Sequence, residues 1–276
     1  MPADLHIHST ASDGTFAPAA LVDLARQTGI GTIALADHDS VDGVSEALQA
    51  GISAGIAVIP AVELSAETAG RSVHVLGYFI DHGNPGLLEH LGLLRQIRLD
   101  RAREMVRVLT EAGYRVSLDD VLARSAGGSV GRAHVARALA DAGHVPTTRA
   151  AFEHLIGRGK PFYVAKPVAT PEAVIATINA AGGIAVLAHP CVSGAEDLIG
   201  ALAANGLAGI EAFHAQHTAD ERVRLVRIAA RYGLTVTGGS DFHGSGEGRA
   251  LGDGGMSDGQ FAAFLRFARL RGVRLS

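Results

Sequence analysis

The chain contains almost no cysteine and has no excess of positive charge. Cys191 is the only cysteine among 276 residues, so no disulfide can form within the chain, which is typical of proteins in a reducing compartment. The formal net charge of -4 provides no overall basic field. This balance argues against a protein that binds duplex nucleic acid non-specifically, so we expect no stable duplex partner.

Long apolar runs and targeting signals are also missing. No apolar stretch reaches the roughly 18 residues that a membrane-spanning helix needs. The first residues lack the basic start, the apolar stretch and the small-residue cleavage site of a secretory signal. The sequence therefore predicts a soluble cytoplasmic protein without a membrane partner, and it leaves the oligomeric state open.

The chain does contain short apolar runs that alternate with longer amphipathic ones. Hydrophobic residues make up 47% and charged residues 19%, an ordinary globular composition. A chain near this length can bury roughly 75% of its unfolded surface in a core. Short runs predict strands at Asp4–Ile7, Thr32–Ala36, Ile56–Leu64, Ser72–Ile80, Ile184–Ala188, Gly209–Phe213 and Leu234–Gly239, and amphipathic runs predict helices at Pro18–Thr28, Val44–Ala54, Pro171–Ala181, Glu196–Asn205, Ala219–Tyr232 and Ser257–Leu270.

This order of elements predicts an α/β protein with parallel strands and helices outside them. The number of strands favours closure into a barrel over an open sheet. Several polar residues support closure, because barrel enzymes place their chemistry at the carboxyl ends of the strands, whereas an open doubly wound sheet concentrates it at a topological switch point. The residues predicted at those ends are His6, Asp37, Glu63, His189 and Asp241.

The alternation breaks between about Pro85 and Pro167. We interpret this region as a helical insertion that caps the open end of the barrel. It divides the chain into a first barrel part at 1–84, a cap domain at 85–167 and a second barrel part at 168–276. Within it we predict helices at Leu87–Ala112, Leu118–Arg124, Arg132–Ala142 and Thr147–Ile156, turns at Gly127-Gly128 and Gly157–Gly159, and one short strand at Phe162–Val164.

A glycine-rich stretch at Gly244–Gly255 follows the last predicted strand. It lacks the lysine and the strand-to-helix context of a phosphate-binding P-loop. We interpret it as a mobile loop beside the site.

The first strand carries two histidines in an H-x-H pattern. His6 and His8 alternate with the apolar residues Leu5 and Ile7. Because side chains alternate along a strand, both imidazoles point to the same side and can reach one metal. Taken alone, the pattern fits two unrelated polar residues equally well, since such short patterns recur by chance.

Further polar residues accompany the next strands. Asp37-His38-Asp39 fits either a capped turn, which aspartates favour, or a set of metal ligands, and the histidine favours the second. Glu63 lies within an apolar strand, where a buried unpaired carboxylate is costly and needs a cation or a partner. A bridging position between two metals would meet that need. His74, taken alone, is better explained as a hydrogen-bonded core histidine.

The last strands complete the set. His189 ends one strand, and Asp241 and His243 repeat the i, i+2 spacing, while Asp13 lies in the first loop. Each residue has an ordinary explanation alone, but histidines or carboxylates on six predicted strands do not share one. Together they predict a multinuclear site for hard-to-borderline divalent metals. Such sites most often hydrolyse phosphate esters.

As an ordered set, the polar stretches span nearly the whole chain: Asp4-Leu5-His6-Ile7-His8-Ser9, Ser12-Asp13-Gly14, Ala36-Asp37-His38-Asp39, Val62-Glu63, Val73-His74, Ala188-His189-Pro190 and Gly239-Ser240-Asp241-Phe242-His243. This set resembles the polymerase-and-histidinol-phosphatase (PHP) family of metal-dependent phosphoesterases. The resemblance implies a distorted TIM-like (β/α)7 barrel with two or three divalent metals. It implies that the bound metal is manganese, with iron or zinc as alternatives.

The resemblance also implies how the ligands divide among the metals. The first metal would be held by His6, His8, Glu63 and Asp241, the second by Glu63, His74 and His189, and the third by Asp13, His38 and His243. Glu63 would bridge the first two metals. No ligand position of the family pattern is lost from the chain.

Within that family, the insertion resembles a subgroup of nucleoside 3′,5′-bisphosphate phosphatases, some of which are 5′-to-3′ exoribonucleases on short RNA. The resemblance implies that Arg132 and Lys160 hold phosphates, since arginine offers a bidentate fork and lysine a point charge. It implies that His134 contacts phosphate or serves as an acid, and that His217 lies near the substrate. The alternative for these residues is ordinary surface charge on a solvated helix.

We therefore expect a phosphoesterase that removes the 3′-phosphate of nucleoside 3′,5′-bisphosphates, with short 5′-phosphorylated RNA as a second candidate substrate, by attack of a metal-bridging hydroxide on phosphorus. Alternatives are a histidinol phosphate or other small-molecule phosphatase, an amidohydrolase, and a metal-stabilised nucleic-acid binding module without catalysis. An amidohydrolase commonly bridges its metals with a late lysine, whereas Glu63 takes that position here. The acidic net charge disfavours the binding module.

Overall fold

Seven strands form one sheet whose spatial order follows the chain from β1 to β7. The computed structural model describes residues 2–125, 127–165, 169–244 and 248–273. The strands are β1 Ala3–Ile7, β2 Thr32–Leu35, β3 Ala57–Thr68, β4 Arg71–Tyr78, β5 Ile184–Leu187, β6 Gly209–His214 and β7 Thr235–Gly239. All seven overlap the predicted strands.

The helices around this sheet are α1 Pro18–Gln27, α2 Val44–Ala54, α3 Pro85–Glu111, α4 Leu118–Ser125, α5 Arg132–Asp141, α6 Thr148–Ala151, α7 Pro171–Ala180, α8 Pro190–Ser193, α9 Ile199–Ala204, α10 Ala219–Tyr232 and α11 Asp258–Leu270. Their starts follow from local sequence. Ser257 and Thr218 form capping boxes with the residue at the third helical position, and such boxes satisfy the free amide groups of a first turn.

The prediction that all strands are parallel is wrong for one strand. β4 is antiparallel to both β3 and β5. The cause is local: only Ala69 and Gly70 separate β3 from β4, and both have positive φ. A two-residue connection can only make a hairpin, because a parallel crossover needs a dozen residues or more.

The sheet is nearly closed into a barrel. The first and last strands meet where they end, since the backbone amide of Asp241 donates to the carbonyl of His6 at 2.8 Å and that of His8 to Phe242 at 2.9 Å. Beyond these bonds, the backbone of Ala3 pairs with Met256. The predicted barrel architecture is thus confirmed, and its closure brings the two ends of the chain's ligand set together.

The insertion is helical, as predicted, and α3 to α6 have a hydrophobic cluster of their own. It includes Met105, Leu109, Val135, Leu139 and Ile156, all buried. A short π-helix, Phe152–Ile156, continues α6. The predicted turns at the glycine pairs are present, but 162–164 form no strand and instead follow a turn.

Polar contacts connect the cap helices to the loops at the carboxyl end of the barrel. Arg98 of α3 contacts Asp39, and Arg137 of α5 donates to the backbone carbonyl of Asp13 at 2.6 Å. The amide of Ser129 donates to Ala11 at 2.9 Å. The cap therefore lies beside the strand ends that carry the predicted ligands.

Other expectations differ in detail. The helix predicted at Glu196–Asn205 begins as a 3-10 turn, Glu196–Leu198, before α9. The interpretation of Gly244–Gly255 as a mobile loop falls partly outside the described residues, which omit 245–247. The domain boundary at 167 is also outside them, and the division into three segments stays a prediction.

Candidate metal centre

The two histidines of β1 point at the same carboxylates. His6 Nε2 lies 3.3 Å from Glu63 Oε2 and 3.5 Å from Asp241 Oδ1. His8 Nε2 lies 3.5 Å and 3.2 Å from the same two oxygens. Both imidazoles are fully buried. The shared direction is what the alternation of side chains along a strand predicts.

Glu63 lies at the centre of the histidine cluster. Its Oε1 is 2.9 Å from His74 Nδ1 and 3.1 Å from His189 Nε2, and its Oε2 is 2.8 Å from His38 Nδ1. Burial by itself would raise the pKa of the Glu63 carboxyl. The surrounding imidazoles, with His38 the strongest, instead hold that pKa well below its usual range. Glu63 is therefore a carboxylate, with lone pairs facing several ligand nitrogens.

A third set of donors lies beside these. The ligand atoms of His8, Asp13, His38 and His243 all lie within 4.8 Å of one another. His243 Nε2 is 3.2 Å from Asp13 Oδ1, and the His8 and His243 rings stack with centroids 4.0 Å apart. Two further sets meet the same distance limit: His6, His8 and Asp241, and His38, Glu63 and His74.

The polar atoms in this cluster fit divalent cations. Buried polar atoms ordinarily have a hydrogen-bond partner, and leaving one unsatisfied is costly. Several atoms here have none among the described residues, although they converge on one another: His6 Nε2, both ring nitrogens of His8, His38 Nδ1, Glu63 Oε2 and His74 Nδ1. Imidazole and carboxylate donors together suit zinc, iron or manganese.

The structure brings together all the predicted metal ligands, with one difference from the predicted grouping. His38 lies close to Glu63 and His74 as well as to Asp13 and His243, so it stands between the predicted second and third positions. His189 contacts Glu63, as the predicted second set requires. The division of ligands among individual ions stays a prediction.

Backbone strain is concentrated at the ligand-bearing strand ends. Asp39, His189 and Asp241 have φ of +50°, +27° and +53°. Residues other than glycine rarely adopt this left-handed backbone conformation, and each one that does costs on the order of 1–3 kcal/mol. The conformations of His189 and Asp241 direct their side chains into the cluster, whereas that of Asp39 directs its carboxylate to Ser65.

Asp37 and Asp39 anchor loops, contrary to the interpretation of the whole triplet as ligands. Asp37 accepts hydrogen bonds from the amide and hydroxyl of Ser9 and from the hydroxyl of Ser12, at 2.6 to 2.8 Å. Asp39 accepts from the amide and hydroxyl of Ser65, and from Arg98. Only His38 of the triplet faces the cluster.

The loop that carries Asp13 depends on Gly14. A Cβ on Gly14 would overlap the backbone oxygen of His8. We expect Gly14→Ala to shift this loop, to destabilise the protein by about 1–3 kcal/mol as overpacking does, and to weaken metal binding by the set around Asp13. Thermal unfolding and metal content would measure both effects.

The control for this variant is Gly92→Ala. Gly92 is exposed within α3, and its added Cβ would meet no atom within 4 Å. Alanine is favoured over glycine in a helix interior by up to about 1 kcal/mol, so Gly92→Ala should be neutral or stabilising. Equal thermal stability and metal content of the two variants would show that the close approach of Gly14 to His8 does not matter for stability or metal binding.

The predicted substrate residues lie in different surroundings. Arg132, at the start of α5, is half-buried, with its guanidinium carbon 5.6 Å from the Phe152 ring centre and 5.9 Å from that of Tyr163. His217 is buried, and its Nδ1 lies 3.1 Å from the carbonyl of Ala212. Lys160 is exposed in a turn. The roles of these residues stay predictions.

His134 is buried, and its Nδ1 accepts a hydrogen bond from the amide of Gly131 at 2.9 Å. Burial lowers the pKa of its imidazole to about 4, against an opposing effect of Asp13 and with help from Arg137. A neutral ring with Nδ1 as acceptor carries its proton on Nε2. At neutral pH, His134 can therefore donate a hydrogen bond but holds no transferable second proton.

This pKa predicts a pH-dependent contribution to stability. The unfolded state binds a proton below about pH 6.5, while the folded state resists it until about pH 4. His134 should thus reduce the free energy of unfolding by about 2 kcal/mol between pH 7 and pH 5. Urea unfolding of wild type and His134→Asn at both pH values should show a smaller loss in the variant. Equal losses would contradict this assignment.

Two groups of residues beside the cluster and the cavities were missed from the sequence. Arg98, Arg101 and Arg158 lie among the many charges of the insertion, and no pattern in the sequence marks which face the barrel. Glu211 and His214 are fully buried in β6, and two polar residues on an otherwise apolar strand could have indicated them. His214 Nε2 lies 3.6 Å from Asp241 Oδ2.

Two neighbouring cavities open between the metal cluster and the cap. The first, about 160 Å³, is bordered by Asp13, His38 and His74 on one side and by Arg98, Arg101 and Arg132 on the other. The second, about 300 Å³, shares Ser72, Arg101 and Arg132 with the first and extends to Arg158 and Tyr163. A larger surface groove along α10, about 560 Å³, lies away from the ligand cluster.

The shared arginines are cationic, and within the part of the chain that the structure describes they have no carboxylate ion-pair partner. Burial lowers the pKa of Arg101 to about 10, and burial also lowers that of Arg132, so both stay protonated at neutral pH. Neither forms an ion pair with another described residue. Unpaired arginines facing a cavity favour a phosphate-bearing ligand.

A barrel with buried histidine and carboxylate donors at its open end, next to an arginine-lined cavity, defines a metal-dependent hydrolase of phosphate esters. The chain belongs to the PHP family, since the model described as "PHP domain" matches residues 4–227. The resemblance seen in the sequence is thus confirmed, and the protein is a metal-dependent phosphoesterase.

Similar proteins agree with this class. A 5′-3′ exoribonuclease from Haemophilus influenzae is 39% identical over 87% of this chain and 89% of its own. A 3′,5′-nucleoside bisphosphate phosphatase from Chromobacterium violaceum is 37% identical over 89% of this chain and 88% of its own. A solved structure of a metal-dependent phosphoesterase from Bifidobacterium adolescentis has a TM-score of 0.91 at 34% identity, covering 100% of this chain and 99% of its own.

The helices do not include a candidate membrane span. Among the described residues, none is both long enough and apolar enough to cross a bilayer.

Proposed function

We propose that the protein removes the 3′-phosphate of nucleoside 3′,5′-bisphosphates. The observation that carries this proposal is the pair of cavities that share Arg101 and Arg132, the first bordered also by histidine and carboxylate donors of the cluster and the second extending to Arg158. A substrate with two phosphates separated by a nucleoside matches that distribution. The names of the similar proteins from H. influenzae and C. violaceum support a nucleotide or RNA substrate.

The cluster would hold the phosphate that is cleaved. We propose two or three divalent ions, manganese first with iron or zinc as alternatives, and the ligand sets predicted from the family pattern. Bound ions of this kind supply positive charge to the phosphoryl oxygens and lower the pKa of water towards neutrality. His217 would accept a hydrogen bond from the substrate, because its Nδ1 lies 3.1 Å from the carbonyl of Ala212 and its Nε2 has no partner among the described residues.

The arginine end would hold the second phosphate. Arg132 and Arg101 offer planar forks that suit bidentate contact with phosphate oxygens. Tyr163, over which Arg101, Arg132 and Arg158 lie at 5.4 to 5.9 Å from the ring centre, offers a face for a base or a sugar. We also propose that Lys160, which lies in an exposed turn, contacts a phosphate of the substrate.

Short 5′-phosphorylated RNA is a second candidate substrate. The second cavity is also bordered by Arg71, which pairs with Asp197, and by Arg158, which pairs with Glu67. A chain that continues beyond the first nucleotide could leave the site past these two cations. Stepwise digestion would then use the same cluster as phosphate removal.

One set of assays tests both substrates. Manganese-loaded protein is supplied separately with 3′-phosphoadenosine 5′-phosphate, 5′-phosphorylated RNA and histidinol phosphate, and the products are identified by chromatography. We expect adenosine 5′-phosphate and inorganic phosphate from the first. Preferred turnover of histidinol phosphate, or full turnover by metal-stripped protein, would contradict the proposal. Tight RNA binding without products would identify a binding module instead.

A further inference from the structure

Glu211 is a fully buried carboxylate beside the metal cluster that none of the proposed ligand sets includes. One oxygen, Oε1, lies 3.0 Å from His6 Nδ1. The other, Oε2, accepts a hydrogen bond from the backbone amide of His189 at 2.9 Å. One side chain of β6 thus contacts His6 within β1 and the backbone of His189 just after β5.

The contact with His6 determines which ring nitrogen of that histidine is free. A carboxylate only accepts hydrogen bonds, so Nδ1 of His6 carries the proton that is donated to Glu211. In the neutral imidazole that a metal ligand must be, the unprotonated nitrogen is then Nε2, which faces Glu63 Oε2 and Asp241 Oδ1. Carboxylates that orient metal-binding histidines in this way are a general feature of metal sites.

The contact with His189 supports a strained backbone. His189 has a φ of +27°, a conformation that persists only where neighbouring groups hold it. Its amide bond to Glu211 is one such group. That conformation turns the imidazole so that Nε2 lies 3.1 Å from Glu63 Oε1.

We propose that Glu211 is a positioning residue that couples two metal positions, by fixing the His6 ring for the first and the His189 backbone for the second. The inference rests on the proposed assignment of His6 and His189 as metal ligands. It does not depend on the identity of the substrate.

Glutamine is the informative replacement, because it keeps the shape of Glu211 and can satisfy only one of its two donors. If the amide oxygen accepts from His6, the amide nitrogen faces the His189 amide as a second donor. If the amide is turned round, its nitrogen donates to His6 Nδ1, and the ring proton must move to Nε2. In both cases one of the two ligands loses its orientation.

The first test measures metal binding without substrate. Metal-stripped wild type, Glu211→Gln and Glu221→Gln are titrated with Mn²⁺ and with Zn²⁺, and free metal is followed by a chelating dye. Loss of an orienting contact typically weakens metal affinity about 10- to 100-fold, and we expect this for Glu211→Gln. Glu221 is the matched control, since it lies in the capping box of α10, where glutamine also serves.

A purely structural role makes a different prediction. Glu211→Gln would then lower the thermal stability of the metal-free protein and leave the metal affinity of the folded fraction at the wild-type value. That result would overturn the proposal. An unchanged affinity in a fully stable variant would overturn it too. Because no substrate is added, failure of the proposed nucleotide activity would leave this measurement unaffected.

The second test uses wild-type protein, so it decides the matter even if the variant does not fold. Histidine is labelled with ¹⁵N, the protein is loaded with Zn²⁺, and long-range proton–nitrogen spectra report which ring nitrogen of His6 carries a proton. We expect a slowly exchanging proton on Nδ1. A proton on Nε2, or one on Nδ1 that exchanges freely with solvent, would contradict the proposed contact.

Discussion

Glu63→Gln should reduce the turnover of the manganese-loaded protein by at least roughly 10³-fold. Glu63 presents its two oxygens to His74 and His189 on one side and to His38 on the other. The variant replaces one anionic oxygen with an amide N–H group, which donates hydrogen bonds and cannot bind a cation. Charge stabilisation by bound ions is worth several kcal/mol in such reactions, and about 4 kcal/mol corresponds to a factor of roughly 10³.

The measurement combines steady-state kinetics with metal content after dialysis. We expect Glu63→Gln to bind fewer ions per chain and to show its loss in kcat rather than in KM. Glu104→Gln is the control, because Glu104 lies on the exposed side of α3, where it forms an ion pair with Arg107. Near-normal turnover by Glu63→Gln would exclude Glu63 as a bridge between metals.

Arg132→Ala should separate the two ends of the proposed substrate. Arg132 borders both cavities and has no described carboxylate partner. A charge-assisted contact with phosphate contributes about 1.5–3 kcal/mol, so kcat/KM for a nucleoside 3′,5′-bisphosphate should fall about 10- to 100-fold. Adenosine 3′-phosphate, which lacks the second phosphate, should lose little.

Two further variants sharpen this result. Arg132→Lys keeps the charge but loses the planar fork, so it should recover only part of the preference for two phosphates. Arg124→Ala removes a guanidinium that pairs with Asp141 on the cap and should leave both substrates unaffected. Equal losses on both substrates after Arg132→Ala would place Arg132 at the reacting phosphate instead.

Local patterns predicted most of the fold because they reflect requirements that neighbouring residues impose. Alternating apolar runs gave all seven strands, and the start of α10 follows from its capping residues. The exception, the direction of β4, depends on how two residues turn. The predicted spacing could have indicated it, because only seven residues separate Leu64 from Ser72, fewer than a parallel crossover needs.

The site divides in the same way. His6 and His8 could be recognised because strand geometry relates residues two apart, and Glu63 because a carboxylate within an apolar strand needs a partner. Glu211 carries the same kind of signal, yet its purpose appears only when its two oxygens are seen on His6 and His189. Arg98 and Arg101 carry no such signal, since charges on a long helix are usually solvated.

The order of apolar runs and the types of polar residue at their ends were enough to determine the barrel, the metal-binding chemistry and the family. Those properties depend on the periodicity of side-chain direction along strands and helices and on the high cost of burying an unpaired charge. Tertiary structure alone decided which nitrogen faces which oxygen, where His38 lies between metal positions, and which arginines line the cavity. Such relations join segments that are distant in the chain, and only packing brings them within contact.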